Sequence, residues 1–251
     1  MLPIGDQNIP GRGYAWVTMA FIAINVLVFV FLQSGFSPSA AGDRFTYGYS
    51  AIPAEITQNT DITEPTPITI DGQTERIPQA PGPDPIYLTL LTSMFMHGGL
   101  AHIFGNMLFL WIFGDNVEHR IGALLYAGFY LIAGVVASLA QILVNTDSTI
   151  PTLGASGAIS GVLGAYIVMF PQNKVRVIIG RIPTEVPALV AIGLWAVFQF
   201  LNGFGAVFAS EETTGGVAYM AHIGGFIVGV LAGLLFRGIG GGDRQAYQPV
   251  R

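Results

Sequence analysis

The sequence predicts an all-α membrane protein, a bundle of six transmembrane helices whose fourth is short and recessed. Of its 251 residues, 52% are hydrophobic and only 10% are charged, against about 25% charged in a soluble domain. The mean hydropathy of +0.59 is more than a soluble core of this size can absorb. Apolar runs that span or nearly span a bilayer recur at Tyr14–Leu32, Leu100–Phe113, Ala123–Val144, Ala155–Phe170, Pro187–Phe208 and Val217–Phe236.

The first run is too long for the apolar region of a signal peptide and is preceded by a single base, Arg12, so it reads as an uncleaved helix. Ser34 to Pro85 then forms a soluble-looking external loop. Within it, Ile68-Thr69-Ile70 and Gln73 to Ile77 flank Asp71-Gly72, a hairpin signal. Pro78, Pro81, Pro83 and Pro85 predict an extended return to the membrane. The expectation is a solvated loop carrying a small hairpin. The fourth run, as a helix, covers about 24 Å, less than the ~30 Å hydrocarbon core. Pro171 and Gln172-Asn173-Lys174 fix its far end at one interface, so its near end starts below the other. Irregular backbone at that depth must lie inside protein or line a watery cavity. The chain divides into a cytoplasmic N-terminal segment (1–13), a membrane domain (14–237, with the external loop 34–85) and a flexible cytoplasmic tail (238–251).

Six spans put both termini on one side. Arg12, Arg120, Lys174, Arg176, Arg181, Arg237, Arg244 and Arg251 fall on that side, and only Arg44 and Arg76 on the other. The positive-inside rule makes the termini cytoplasmic. Acids cluster outside, from Asp43 to Asp84 and at Glu211-Glu212. The net charge is −5 and no basic stripe suggests nucleic acid. Cysteine is absent, which excludes disulfides and thiolate metal sites.

The segment from Gly154 to Gly161 places Ser156 between glycines at the start of the fourth run. His97, His102 and Asn106 lie at or near the outer end of the second span. His222 lies about 8 Å into the sixth, at the same side. Polar groups at that depth are costly and mark function. A serine hydroxyl needs an adjacent base to act as a nucleophile, and histidine supplies one. Gly154, Gly157, Gly161 and Gly164 share one face of the fourth span; Gly225, Gly229 and Gly233 share the His222 face of the sixth. Small-residue faces let helices approach closely, so these glycines serve packing as well as the site. Unpaired N–H groups at the start of the fourth helix suit a developing oxyanion. His102 and Asn106, four apart on one face, add side-chain donors.

A metal site at His97 and His102 fits poorly: their spacing does not favour one face, and no carboxylate lies beside them. His97 alternatively joins helices as a buried polar group. Neither metal nor cofactor is expected. Asp147, the acid in the loop before Ser156, reads as solvated, so a Ser–His dyad is expected. Glu118 and Arg120 read as a structural ion pair or helix-end clamp, and His119 as an interfacial residue.

At these residues the chain resembles the rhomboid family of intramembrane serine proteases, over roughly Tyr14 to Phe236. The G-x-S-G pattern appears as Gly154-Ala155-Ser156-Gly157. Two histidines and an asparagine appear as His97, His102 and Asn106; A-H with following small residues as Ala221-His222-Ile223-Gly224-Gly225 with Gly229; E-x-R as Glu118-His119-Arg120. The resemblance implies a six-helix bundle of rhomboid type with Ser156 as nucleophile and His222 as general base. It implies an oxyanion hole of His102, Asn106 and the Ser156 N–H, and a mobile fifth span around Trp195 and Phe198. Family substrates are membrane proteins cut in or near a transmembrane helix, often after a small residue.

Two positions depart from the family pattern. A Trp-Arg pair of the external loop is replaced by Leu88 and Thr89. Ser160 stands where some members have a tyrosine, so His222 is expected to be held by packing of its glycine face. The function implied is an intramembrane serine endopeptidase in a lipid bilayer, with transmembrane-protein substrates; the oligomeric state is open. The alternative is a catalytically silent rhomboid-like adaptor that binds transmembrane helices, whose mark would be loss of the serine or histidine. A small-solute transporter would carry an inverted repeat, and none pairs the two halves. The layout suits a prokaryotic plasma membrane, with the site opening to the external face.

Overall fold

Surrounded by hydrocarbon, a backbone must satisfy its N–H and C=O groups within its own segment, so the proline-free apolar runs fold as helices. The computed structural model describes residues 2–9, 13–70, 73–208 and 218–239. Strand β1 (Leu2–Asp6) comes first, then α1 (Trp16–Leu27), which ends in a π-helical turn at Val28–Leu32. The loop of residues 34–85 follows with α2 (Ala40–Tyr49), α3 (Pro53–Gln58), β2 (Thr66–Ile70) and β3 (Gln73–Ile77). Short helical turns over Ile86–Phe95, including α4 (Thr89–Thr92), lead into α5 (Leu100–Ile121), α6 (Ala123–Val144) and α7 (Ser156–Met169). A hairpin of β4 (Lys174–Ile179) and β5 (Ile182–Pro187) then precedes α8 (Ala188–Phe208) and α9 (Tyr219–Ile239).

The fold is mostly helical and membrane-embedded. Among the described residues, α6 and α9 are long and apolar enough to cross a bilayer alone. A third span results if Ile86–Phe95 and α5, which meet at 79°, form one broken segment. Trp16–Leu32, α7 and the stretch Ala188–Gly203 of α8 are apolar but shorter. Leu124, Leu143, Phe198, Leu201 and Leu235 point outward, a surface that suits lipid rather than water. Inside, Leu110, Phe113, Tyr126, Tyr130, Leu163 and Tyr166 fill the centre between α5, α6 and α7.

The strands amend the all-α expectation. The N-terminal segment is an ordered strand: β1 pairs antiparallel with β4, and β4 with β5, in the order β1-β4-β5. Lys174-Val175-Arg176-Val177 alternates, with both valines buried and both bases exposed, the period of a half-buried strand. The N-terminal segment also explains why α5 continues past its apolar run from Phe113 to Ile121. Asp115 accepts from Asn8 at 2.8 Å, and Asn116 accepts from the Ile9 N–H at 3.0 Å. Glu118 receives the N–H groups of Val17 (3.0 Å) and Thr18 (2.7 Å) and the Thr18 hydroxyl (2.8 Å). That carboxylate caps the start of α1 from a neighbouring helix.

The loop of residues 34–85 is more structured than expected. Ser39 caps α2 through Gly42 N–H (3.1 Å), and Pro53 opens α3. Gly42 and Gly48 have no room for a Cβ, which would lie 2.5 Å from the Gln33 carbonyl and 2.4 Å from that of Pro81. The expected hairpin is present, with Ile68 opposite Glu75 and Ile70 opposite Gln73; Asp71-Gly72 lies outside the described residues. Residues 78–85 return without helix or strand. The expectations for Arg12, Glu211-Glu212 and the tail from residue 240 onward, with Arg244 and Arg251, also lie outside the described residues.

Asp6 accepts from the Tyr166 hydroxyl at 2.5 Å and from Asn116 at 2.8 Å, tying β1 to α7 and α5. Burial, with the nearby Asp115 charge adding to it, pushes the Asp6 carboxyl up from 3.8 to about 6. The folded state therefore binds the proton more tightly than the unfolded chain. Its contribution to stability is fully present below pH 3.8 and declines until the pH passes about 6. Thermal unfolding in detergent across this window should show a smaller pH slope for Asp6→Asn than for the unmodified chain; equal slopes would count against the assignment.

Candidate active site

Ser156 is the first residue of α7, so its N–H and those just after it have no carbonyl one turn back. The chain reaches it through Gly154, whose φ of +132 is one that residues with a Cβ rarely adopt. The Gly154 N–H donates to the Ser93 carbonyl at 2.9 Å. Two residues earlier, Thr152 and Ala51 exchange backbone hydrogen bonds of 2.8 and 3.0 Å, which fasten this approach to the loop of residues 34–85.

Helix α7 packs against α9 through the two glycine faces. A Cβ on Gly225 would lie 2.0 Å from the Gly157 carbonyl, and one on Gly229 would lie 1.9 Å from that of Gly161. The backbones therefore touch directly, and His222, one turn before Gly225, comes within reach of the start of α7. Its Nε2 is 2.9 Å from Ser156 Oγ. Gln141 on α6 steadies the same end of α9, its Oε1 accepting from the N–H groups of Met220 (3.1 Å) and Ala221 (3.3 Å).

The other ring nitrogen of His222 has a partner that the sequence reading missed. Gln199 Oε1 on α8 lies 2.8 Å from His222 Nδ1. Trp195 and Tyr219 flank the ring at centroid distances of 6.1 and 6.4 Å. His222 is thus held by a hydrogen bond from a third helix as well as by the glycine face. The available signal was one amide in the apolar run Leu194 to Leu201, where a polar side chain is costly. Asp147 is exposed in its loop.

His102 accepts from the Gly98 N–H at its Nδ1 (3.2 Å), which leaves Nε2 to carry the ring proton. That edge faces Gly154: a Cβ there would lie 2.9 Å from His102 Nε2 and 3.6 Å from Ser156 Oγ. Asn106, one turn along the same face, is buried with an unpartnered Nδ2. Among the described residues neither ring nitrogen of His97 has a hydrogen-bond partner, so no such bond joins it to Ser156 or His222. Its ring packs edge-on against His102 at 5.0 Å, and its backbone is clamped on both sides by the Gln33 amide. Glu118 lies at the far end of α5 on the α1 cap, and no ion pair joins it to Arg120. No group of three or more potential metal ligands converges among the described residues.

A cavity of about 20 Å³ lies beside Ser156, lined among others by Ser93, Ser138, Gln141, Thr152 and Gly157. That is room for about one water with polar partners. The arrangement holds a hydroxyl, a ring nitrogen positioned to take its proton, and N–H donors around the same point.

The family model for the rhomboid domain matches residues 85–239. The chain belongs to the rhomboid family. This rhomboid is 34% identical over 143 residues to the rhomboid protease GluP of Bacillus subtilis, covering 57% of the chain and 25% of that protein. It is 31% identical over 150 residues to the mitochondrial Rhomboid protein 1 of Saccharomyces cerevisiae (58% and 41%). To RHOMBOID-like protein 4 of Arabidopsis thaliana it is 27% identical over 231 residues (88% and 52%). The chain spans between a quarter and about half of the length of these curated relatives.

The glycine contact sets a stability test. Gly229→Ala puts a methyl group against backbone that cannot rotate away, and should cost about 1–3 kcal/mol. Gly193→Ala, where nothing lies within 4 Å of the added Cβ, should be nearly neutral. Unfolding midpoints in detergent measure both, and equal midpoints would mean that the helices do not touch at Gly229.

Proposed function

We propose that this rhomboid is an intramembrane serine endopeptidase that hydrolyses peptide bonds in or near transmembrane helices. The observation that carries the reading is the 2.9 Å contact between Ser156 Oγ and His222 Nε2. Retention of both residues disfavours the silent-adaptor reading. In the proposed reaction His222 Nε2 takes the Ser156 proton as Oγ attacks the scissile carbonyl. The carbonyl oxygen becomes an oxyanion within reach of the Ser156 N–H, His102 Nε2–H and Asn106 Nδ2. Collapse breaks the C–N bond, and the proton on His222 passes to the leaving amine. Water, activated by the same nitrogen, then hydrolyses the acyl-enzyme and restores the serine. His97 supports His102. Gly154, Gly157, Gly225 and Gly229 let the backbones approach, and Glu118 holds the start of α1 at the other end of α5.

The architecture proposed is a membrane domain over 14–237 with six spans, formed by Trp16–Leu32, α5, α6, α7, α8 and α9. A helix of 14 residues such as α7 reaches about 21 Å, so Ser156 would sit below the outer interface. Arg120, Lys174, Arg176, Arg181 and Arg237 support cytoplasmic termini, with the site opening outward. This layout suits a prokaryotic plasma membrane; the relatives come from a bacterium, a yeast and a plant. Substrates would be transmembrane proteins entering from lipid past α8, and a scissile amide must leave its helix before it can be attacked.

The test is fluorophosphonate labelling and cleavage of a reconstituted single-span substrate. Ser156→Ala should abolish both, and His222→Ala should reduce cleavage by about 10³-fold or more. Asn106→Ala should cost roughly 10²-fold in kcat, and Asp147→Asn should cleave like the unmodified chain. Folded protein that neither labels nor cleaves would move the assignment to the adaptor.

A further inference from the structure

Gln199 is 8% exposed, sits in an apolar stretch of α8, and has no part in the Ser–His pair as read from sequence. Its amide oxygen, not its NH₂ group, faces His222 Nδ1 at 2.8 Å. A carbonyl oxygen only accepts, and a neutral imidazole carries one ring proton. The contact is therefore made when that proton is on Nδ1. Nε2 is then left with its lone pair directed at Ser156 Oγ, 2.9 Å away. In the other tautomer Nε2 could not accept the serine proton, and Nδ1 and Oε1 would oppose lone pairs. Trp195 and Tyr219 flank the ring but do not distinguish the tautomers.

We propose that Gln199 is a positioning residue for the dyad, selecting the His222 tautomer that leaves Nε2 free to act as base. The proposal rests on the endopeptidase reading above. It makes the site a Ser–His pair oriented by a neutral amide, contributed by a helix that carries neither partner. An amide orients the ring without adding a full negative charge to balance the imidazolium. That distinguishes it from a carboxylate in the same place.

The test compares the unmodified chain with Gln199→Leu and Gln199→Glu in proteoliposomes. Histidine ¹⁵N NMR is read alongside the kinetics, with His222 assigned by its loss in His222→Gln. The expected result is the Nδ1–H tautomer in the unmodified chain and a mixture in Gln199→Leu. Gln199→Leu should lower kcat by about ten-fold or more while KM stays within about two-fold. Gln199→Glu should retain the Nδ1–H tautomer and move the acidic limb of the kcat–pH profile to higher pH, because a carboxylate favours the charged ring. A merely structural role would move neither tautomer nor limb.

An Nε2–H tautomer in the unmodified chain overturns the proposal, as does Gln199→Leu with unchanged kcat and pH profile. If Gln199→Leu does not fold, the unmodified spectrum and the Gln199→Glu profile decide. If the unmodified chain shows no Ser156-dependent cleavage, the endopeptidase reading fails by itself. The tautomer measurement still reports separately on Gln199.

Discussion

Direct backbone contact between α7 and α9 is the constraint on which the rest of the site depends. Gly225 and Gly229 meet the carbonyls of Gly157 and Gly161 with no space for a side chain. Only at that separation does a ring on α9 reach a hydroxyl on α7. Lipid offers no hydrophobic drive for helices to associate, so close packing and polar contacts hold them together. The glycines thus set both the stability of the helix pair and the distance between Ser156 and His222.

Around that contact, polar side chains find partners on other elements. Glu118 caps α1 from α5, Gln141 holds the start of α9 from α6, Gln33 clamps the backbone of His97, and Asp6 joins β1 to α5 and α7. Glu118 and Gln141 satisfy N–H groups at helix starts, where helical bonding runs out. Two of these bonds hold the segment leading into α5 and the start of α9, the helices that carry His102 and His222. The loop of residues 34–85 takes part as well, since Ala51 pairs with Thr152 four residues before Ser156.

Much of this was legible in sequence. The run Ala123–Val144 is a helix over the same residues, and the fourth run yields α7 with Ser156 at its start. The hairpin signal before and after Asp71-Gly72 produced β2 and β3. Other elements were missed for identifiable reasons. Lys174 to Pro187 alternates like a strand, yet a strand needs partners, and one partner was the distant N-terminus. Helix α2 carries a weak apolar pattern and is fixed by the Ser39 cap and by packing of Gly42 and Gly48 against the backbone of Gln33 and Pro81.

By itself the sequence determined the medium and the cast: long uncharged runs require a bilayer, and Ser156, His222, His102 and Asn106 are polar residues too costly to leave there without a purpose. Hydropathy and spacing report such properties because they belong to single segments. Which nitrogen of His222 faces Ser156, that Gln199 occupies the other, and that Glu118 serves α1 rather than Arg120 were decided by the tertiary structure alone. Those are distances between helices, fixed by how glycine faces and buried amides meet, and no property of one segment encodes them.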